Sequence, residues 1–111
     1  MKVQVLIPLI AAVLMPAAAL ATPKANAKEG HEIYESKCQM CHGPNGEGNA
    51  NLAKMLQATI PPLGSKAVQA ETDVQLRLVI EKGKGKMPAV AGLSATQVGD
   101  VIAFVRTLAK K

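Results

Sequence analysis

The stretch Cys38-Gln39-Met40-Cys41-His42 lies near the middle of a chain of 111 residues and contains its only two cysteines. Two thiols at this spacing can each form a thioether with a vinyl group of haem, and the adjoining imidazole can then bind the iron. The sequence therefore predicts covalent attachment of one haem through Cys38 and Cys41, with His42 as the proximal iron ligand.

A cysteine pair of this spacing has other common uses. A four-thiolate zinc site needs a second cysteine pair, which the chain lacks. A thioredoxin-like dithiol needs alternating strands and helices around it, and the sequence shows no segment with the period of a strand. A disulfide between such close residues closes a very small loop and adds little stability. Haem attachment is the favoured interpretation.

The first 21 residues have the pattern of a secretory signal peptide. A basic start at Lys2 precedes an almost wholly apolar run over residues 3–15, Pro16 interrupts it, and Ala19-Leu20-Ala21 offers a small-x-small cleavage site. A second candidate cut follows Ala27. An uncleaved membrane anchor is the alternative, because the run approaches the roughly 20 residues that span a bilayer. We predict a signal peptide over residues 1–21, a domain over residues 22–111, and export to the periplasm.

Composition narrows the functional classes. The formal net charge of +5 is only mildly basic, and the sequence has no basic block interleaved with aromatic residues, so nucleic acid is not an expected partner. With no Trp, one Tyr and one Phe, the chain lacks the aromatic groups that usually fill a core. A buried haem would supply the missing apolar surface in so small a domain.

The segment around the cysteines has helical periodicity. It predicts one helix over residues 28–41, which ends at Gly43-Pro44 because glycine tolerates positive φ and proline cannot continue the helix. The apolar stripe of this helix consists of Gly30, Ile33, Tyr34, Cys38 and Cys41. Residues 22–27 are predicted to be a short mobile leader, and residues 51–57 a short helix.

Two further helices are marked by capping boxes. Thr72 and Gln75 predict a helix over residues 73–81 that stops at Gly83. Ser94 and Gln97 predict a C-terminal helix with one apolar arc, whose opposite, polar arc comprises Asp100, Arg106, Thr107 and Lys110. With no strand pattern and no internal repeat, the predicted fold is all-α around the cofactor.

The sixth iron position has one favoured candidate. Met87 lies in a glycine-rich loop far along the chain from His42, and Pro88 fixes the backbone beside it. The alternative is that Met87 is a gap-filling core residue. Met40 lies within the attachment motif on the proximal side, and Met55 lies in a helical stretch soon after it. The other imidazole, His31, precedes the motif on the same helix and is predicted to be solvated.

Together these residues resemble a small single-haem class I cytochrome c of the bacterial periplasm, over residues 28–111. The resemblance implies an all-α cytochrome c fold in which the N- and C-terminal helices cross around one covalently bound haem c. Gly30 and Tyr34 would meet Phe104 at that crossing. The family's methionine ligand matches Met87.

The resemblance leaves two details open. A loop proline whose carbonyl accepts from the proximal imidazole would be either Pro61 or Pro62. The partners of the haem propionates are undetermined, because the tryptophan that some relatives use is absent. Their candidates are Lys66, Arg77, Gln57 and Asn49.

With His42 and Met87 on the iron, one-electron oxidation and reduction is the chemistry that remains. We therefore predict a monomeric periplasmic electron carrier, not an enzyme, without a membrane span after signal cleavage. Lys82, Lys84 and Lys86 flank the proposed ligand and either steer transient docking of acidic redox partners or form a solvated loop without a specific role. The alternatives are a ligand-binding or sensing haem protein with an open sixth position, and an electron-entry subunit of a larger redox enzyme.

Overall fold

The structure is a computed structural model that describes residues 2–12 and 24–110. Its regular secondary structure in these ranges is helical, apart from one isolated bridge between Lys84 and Met87. The helices are α1 Ala27–Lys37, α2 Gln39–His42, α3 Ala50–Leu56, α4 Lys66–Gln69, α5 Asp73–Lys82 and α6 Ala95–Thr107. The predicted all-α fold is confirmed.

The N-terminal segment is described only in part. Residues 2–12 form no helix and their side chains are exposed, whereas the predicted cleavage site at residues 19–21 lies outside the described residues. Among the helices of the described ranges, none has the length and apolar character needed to cross a bilayer.

Helices α1 and α6 cross in close contact, as the resemblance implied. Gly30 makes the contact possible, because a Cβ at this position would lie 1.9 Å from the carbonyl oxygen of Asp100. Tyr34 is fully buried at the crossing, with its ring centroid 4.9 Å from that of Phe104. His31 is exposed, as predicted, but its ring also stacks on Phe104 at 4.4 Å, a contact that the sequence did not reveal.

The prediction for Asp100 is wrong, and the prediction of a mobile leader over residues 22–27 is wrong at Asn26 and Ala27. Asp100 was expected on the polar arc of α6, yet it is 3% exposed and its carboxylate accepts a hydrogen bond of 2.8 Å from the backbone N–H of Asn26. The side chain of Asn26 in turn accepts from the backbone N–H groups of Lys28 and Glu29 and caps α1. The end of the expected mobile leader is therefore the anchored beginning of the first helix.

The single helix predicted over residues 28–41 is also wrong, because it breaks at Cys38. This residue has φ −118°, whereas an α-helix requires about −63°. Its carbonyl accepts from both Cys41 N (3.3 Å) and His42 N (3.0 Å), which tightens the chain into the short helix α2. Gly43, at φ +80°, ends α2 where the sequence predicted. The sequence pattern did not reveal the break, because Cys38 and Cys41 keep the spacing of one continuous helix.

Both capping boxes are confirmed, and the two helices that begin at them enclose a small buried cluster. Thr72 and Gln75 cap α5, and Ser94 and Gln97 cap α6. Between these helices lies a buried cluster of Leu76, Val98 and Ile102, with Val68, Ile80 and Leu93 packed against it.

The short helix α4 was not predicted. Ser65 caps it through a hydrogen bond from Val68 N (3.3 Å), and Arg106 of α6 holds its C-terminal end. The guanidinium donates to the carbonyl oxygens of Gln69 (2.9 Å) and Glu71 (2.6 Å). Arg106, predicted on the polar arc of α6, fixes the segment between α4 and α5.

Candidate functional site

A cavity of about 680 Å³ opens between α2, α5, α6 and the loop that carries Met87. All of the site residues predicted from the sequence, Cys38, Cys41, His42 and Met87, lie on its wall. The rest of the wall is largely apolar and includes Leu76, Val79, Ile80, Val101, Ile102 and Val105. Ligand sites in proteins typically enclose about 300–1,000 Å³ and are mostly apolar, so this cavity has the size and character of a binding site.

The loop over residues 43–49 fixes the backbone of α2. Helix ends leave carbonyl groups without intrahelical partners, and here the loop supplies the donors. Met40 O accepts from Asn49 Nδ2 at 3.1 Å, and Cys41 O accepts from Asn49 N at 2.9 Å. His42 O accepts from Gly48 N at 2.7 Å. Hydrogen bonds from the loop therefore fix the backbone of the segment that bears the thiol of Cys41 and the imidazole of His42.

Tyr34 extends this support from α1. Its O–H donates to the carbonyl of Gly43 at 2.5 Å, directly after the imidazole-bearing residue. Burial, and to a smaller extent the charges of Cys38 and Glu47, raise the pKa of Tyr34 to about 12. Gly43 cannot be replaced freely, because its φ is +80° and a Cβ would lie 2.6 Å from the carboxyl carbon of Glu47.

The imidazole of His42 has the properties of a metal ligand. Burial lowers the pKa of His42, which favours the neutral ring that binds metals. Its Nδ1 is buried and makes no hydrogen bond within the described residues. Of the two candidate prolines, Pro61 lies on the cavity wall. The carbonyl of Pro62 already accepts from Ser65 N at 3.0 Å.

Met87 lies in a tight hairpin that follows α5. Lys84 N donates to Met87 O at 3.0 Å and Met87 N donates to Lys84 O at 2.9 Å, with Gly85 at φ +56° in the two-residue turn. Gly83 precedes it at φ +79°, where a Cβ would lie 2.6 Å from Met87 O. The backbone around Met87 is therefore closely constrained, although the sequence indicated only a flexible loop.

The two cysteines are partly buried free thiols. Burial is the main cause that raises the pKa of Cys38 to about 11, and the neighbouring Cys41 adds to it. A redox dithiol needs a lowered thiol pKa, because the thiolate is the nucleophile. The environment of Cys38 thus opposes the dithiol alternative, as does the all-helical fold.

The four propionate candidates have different surroundings. Gln57 alone among them lines the cavity. Asn49 uses its side-chain amide to bind Met40 O, and Arg77 donates to the carbonyl of Ala95 at 3.0 Å. Lys66 is exposed and away from the cavity wall.

Comparison with known proteins identifies the fold. The sequence model of a family described as cytochrome c oxidase, cbb3-type, subunit III matches residues 25–105. The chain belongs to this family of c-type cytochrome domains. A solved structure described as the KustC0563 c-type cytochrome is similar, with a TM-score of 0.62 and 25% identity over 73% of this chain and 98% of that one. None of the curated proteins matches the chain.

The residues on the cavity wall fit the cofactor of a c-type cytochrome. Two free thiols, an imidazole and a thioether line an apolar space of suitable size. The unpaired Nδ1 of His42 leaves that ring without another role within the described residues. The cofactor of this cytochrome is covalently attached haem c, as the attachment motif predicted.

Sequence reasoning missed the residues that hold the backbone next to the candidate ligand His42. The hydroxyl of Tyr34 and the amide of Asn49 hold the backbone of the attachment segment, yet neither belongs to a chemical motif. The only signal was the turn-rich composition of residues 45–49, which indicates a loop but not which carbonyls it binds.

Proposed function

We propose that this chain is a periplasmic carrier of single electrons, with haem attached through Cys38 and Cys41 and iron held between His42 and Met87. One observation supports the proposal above the others. Helix α2 and the Met87 hairpin, which are distant in sequence, bring their ligand-type side chains to the wall of one cavity. The family of the chain, c-type cytochromes, agrees with electron transfer.

Bound haem supplies one-electron exchange between the ferrous and ferric states of its iron. His42 and Met87 would hold the iron, and a thioether donor in place of a second imidazole would favour the ferrous state. The apolar wall excludes water, while the hydrogen bonds behind α2 keep the imidazole in place. We assign to Pro61 the carbonyl that would accept from Nδ1 of His42 once haem is bound, because Pro61 lies on the cavity wall and the carbonyl of Pro62 already has a donor.

Absorption spectra test the ligation. The reduced protein should form no carbon monoxide adduct at neutral pH, since His42 and Met87 occupy both axial positions. Met87→Ala should bind carbon monoxide promptly and lose the methionine-to-iron charge-transfer band of the oxidised protein. Met55→Ala is the matched control, because that side chain is 79% exposed and should leave both properties unchanged. Prompt binding by the wild type would contradict the proposal and favour the ligand-binding alternative.

Attachment has its own test. Thioether-linked haem should remain with the protein after extraction with acidified acetone, whereas haem held only by axial ligands is removed. In a variant with both Cys38 and Cys41 replaced by Ala, the same extraction should remove the haem. Extraction of haem from the wild type would contradict attachment through these thiols.

We also propose that export removes residues 1–21, not residues 1–27. A cut after Ala27 would remove Asn26, whose side chain caps α1 and whose N–H pairs with the buried carboxylate of Asp100. It would also place a positively charged N-terminus in the first turn of α1, where the helix dipole opposes it. The intact mass of the haem-loaded protein from the periplasm should therefore correspond to a chain that begins at Thr22. A chain that begins at Lys28 would overturn the proposal.

A second candidate function is an electron-entry subunit of a larger redox enzyme. The family description, an oxidase subunit, favours it, as do Val74 and Leu78, which lie one turn apart on α5 with exposures of 67% and 50%. The hydrodynamic size of the native protein distinguishes the two. A haem-containing species of monomer size supports the carrier, whereas a stable larger complex supports the subunit.

A further inference from the structure

The backbone of Gln57 has an unusual conformation. Its φ of +50° and ψ of 45° lie in the left-handed region, and it is the only non-glycine residue at positive φ within the described ranges. Glycine is the usual residue at such a helix end, because a side chain is disfavoured there. Residues held in sparsely populated backbone regions cluster at ligand sites, so the side chain of Gln57 invites a functional explanation.

The location of Gln57 suggests which ligand it meets. It lines the haem cavity at the end of α3, where the chain passes into Ala58, Thr59 and Ile60. Its backbone N–H closes the helix by donating to the carbonyls of Ala53 and Lys54. Its side chain is exposed, and its amide makes no hydrogen bond to another group in the described part of the chain, so the amide is free to bind a group that occupies the cavity.

We propose that the side-chain amide of Gln57 donates a hydrogen bond to a haem propionate, an assignment that rests on the haem site described above. A carboxylate accepts hydrogen bonds and needs donors once it is removed from water. Gln57 supplies a neutral donor on the cavity wall, which explains why a residue with a side chain occupies a position that suits glycine.

The other ionisable groups on the cavity wall do not replace it. Glu71 carries a carboxylate of its own, which cannot donate when ionised. Lys84 and Lys86 are exposed, as Gln57 is, but they lie on the Met87 hairpin beside the proposed iron ligand, whereas Gln57 lies at the end of α3. Tyr34 already donates to Gly43 O, and His42 is assigned to the iron.

The pH dependence of the reduction potential tests the proposal. A hydrogen bond to the ionised propionate lowers its pKa, so removing the donor should raise that pKa. In Gln57→Gly, the inflection of potential against pH should move upward by about one pH unit relative to the wild type. Glycine adopts positive φ without strain, so this variant is expected to fold and load haem normally. An unchanged inflection in a fully loaded variant would overturn the assignment.

A control identifies the group that titrates. Glu71→Gln removes the only carboxylate side chain on the described cavity wall and should leave the inflection in place. Disappearance of the inflection in this variant would assign the titration to Glu71 and overturn the proposal.

A direct observation of the amide completes the test. In NMR spectra of the reduced protein, the two side-chain amide protons of Gln57 should be displaced by the haem ring current and exchange slowly with water. They are assigned by their absence in Gln57→Gly. If these two protons have the chemical shifts of an ordinary solvated glutamine amide and exchange rapidly with water, the hydrogen bond is contradicted. Covalent haem and the charge-transfer band of bound methionine are measured in the same samples, so failure of the haem site itself is recognised separately.

Discussion

At the scale of single residues, the most informative group outside the ligand set is Tyr34. It is the only tyrosine of the chain, is fully buried, and donates its hydroxyl to Gly43 O at 2.5 Å. Burial is the main cause that raises its pKa to about 12, followed by the charges of Cys38 and Glu47. In the proposed haem-loaded protein, Cys38 would be a thioether without charge, and burial and Glu47 would remain as the causes of the raised pKa.

We expect Tyr34 to make the protein sensitive to alkali. Because folding raises the pKa of the phenol above its ordinary 10.0, the fold favours the neutral form. This stabilisation is fully present below about pH 10 and is lost as the pH rises toward about 12, on the order of 2 kcal/mol in all. Denaturant unfolding at a series of pH values measures it, and tyrosinate absorption reports the ionisation of this one residue.

Tyr34→Phe is the control for the other groups that titrate in this range, lysines above all. The variant should lose about 1 kcal/mol at neutral pH with the hydrogen bond, but its stability should fall less steeply above pH 10. Equal slopes in the two proteins would show that Tyr34 is not the responsible group.

The role of a single residue could be predicted from the sequence where the residues that share that role are close together in the chain. Cys38, Cys41 and His42 could be proposed because their spacing is typical of haem attachment, and Met87 because few other sulfur donors were available, and all four line one cavity. The buried role of Asp100 could not be found, since its partner is the N–H of Asn26, which lies 74 positions away. A carboxylate near a helix N-terminus has the same sequence pattern whether it is solvated or buried.

At the scale of elements, the crossing of α1 and α6 determines whether the fold closes. Gly30→Ala places a methyl group 1.9 Å from Asp100 O, a backbone atom that cannot move without displacing α6. We expect a loss of about 3 kcal/mol or more in the free energy of unfolding, at the upper end of overpacking effects. Urea or thermal unfolding of the haem-loaded protein measures it.

Gly99→Ala is the matched control for that substitution. Gly99 lies within α6, and its added methyl group would meet only Arg77 Nη2 at 3.5 Å, the end of a flexible side chain. Since alanine favours helix over glycine by about 1 kcal/mol, this variant should be as stable as the wild type or more so. Similar losses in the two variants would contradict a specific contact at Gly30.

The helices themselves were predictable where their ends carry a local signal. Capping boxes at Thr72 and Ser94 gave the starts of α5 and α6 correctly, because each box involves residues only three positions apart. The break at Cys38 and the short helix α4 were missed. The first leaves the apolar stripe unchanged, and the second depends on Arg106, which belongs to a distant helix.

At the scale of the whole molecule, positive charge near the cavity bears on how partners approach. The chain has a formal net charge of +5, and three exposed lysines, Lys82, Lys84 and Lys86, surround the Met87 hairpin. Two of them, Lys84 and Lys86, line the cavity itself. Transient electron-transfer complexes have small contacts, so charge on a contact surface affects mainly the association rate.

We expect these lysines to accelerate electron transfer to anionic partners. Replacing all three by Gln should lower the bimolecular rate of oxidation by ferricyanide about tenfold at low ionic strength and weaken its dependence on salt. Stopped-flow absorption of the reduced haem measures the rate.

The control replaces three other lysines by Gln, namely Lys28, Lys66 and Lys110. They are exposed and lie off the cavity wall, and their replacement removes the same amount of charge. When both variants are measured again at 0.1 M salt, where the Debye length is about 10 Å, the control should lose much less rate than the hairpin variant, because its lysines lie off the cavity wall. Equal losses in the two triplets would mean that net charge alone steers the reaction, and the lysines of the hairpin would then have no specific docking role.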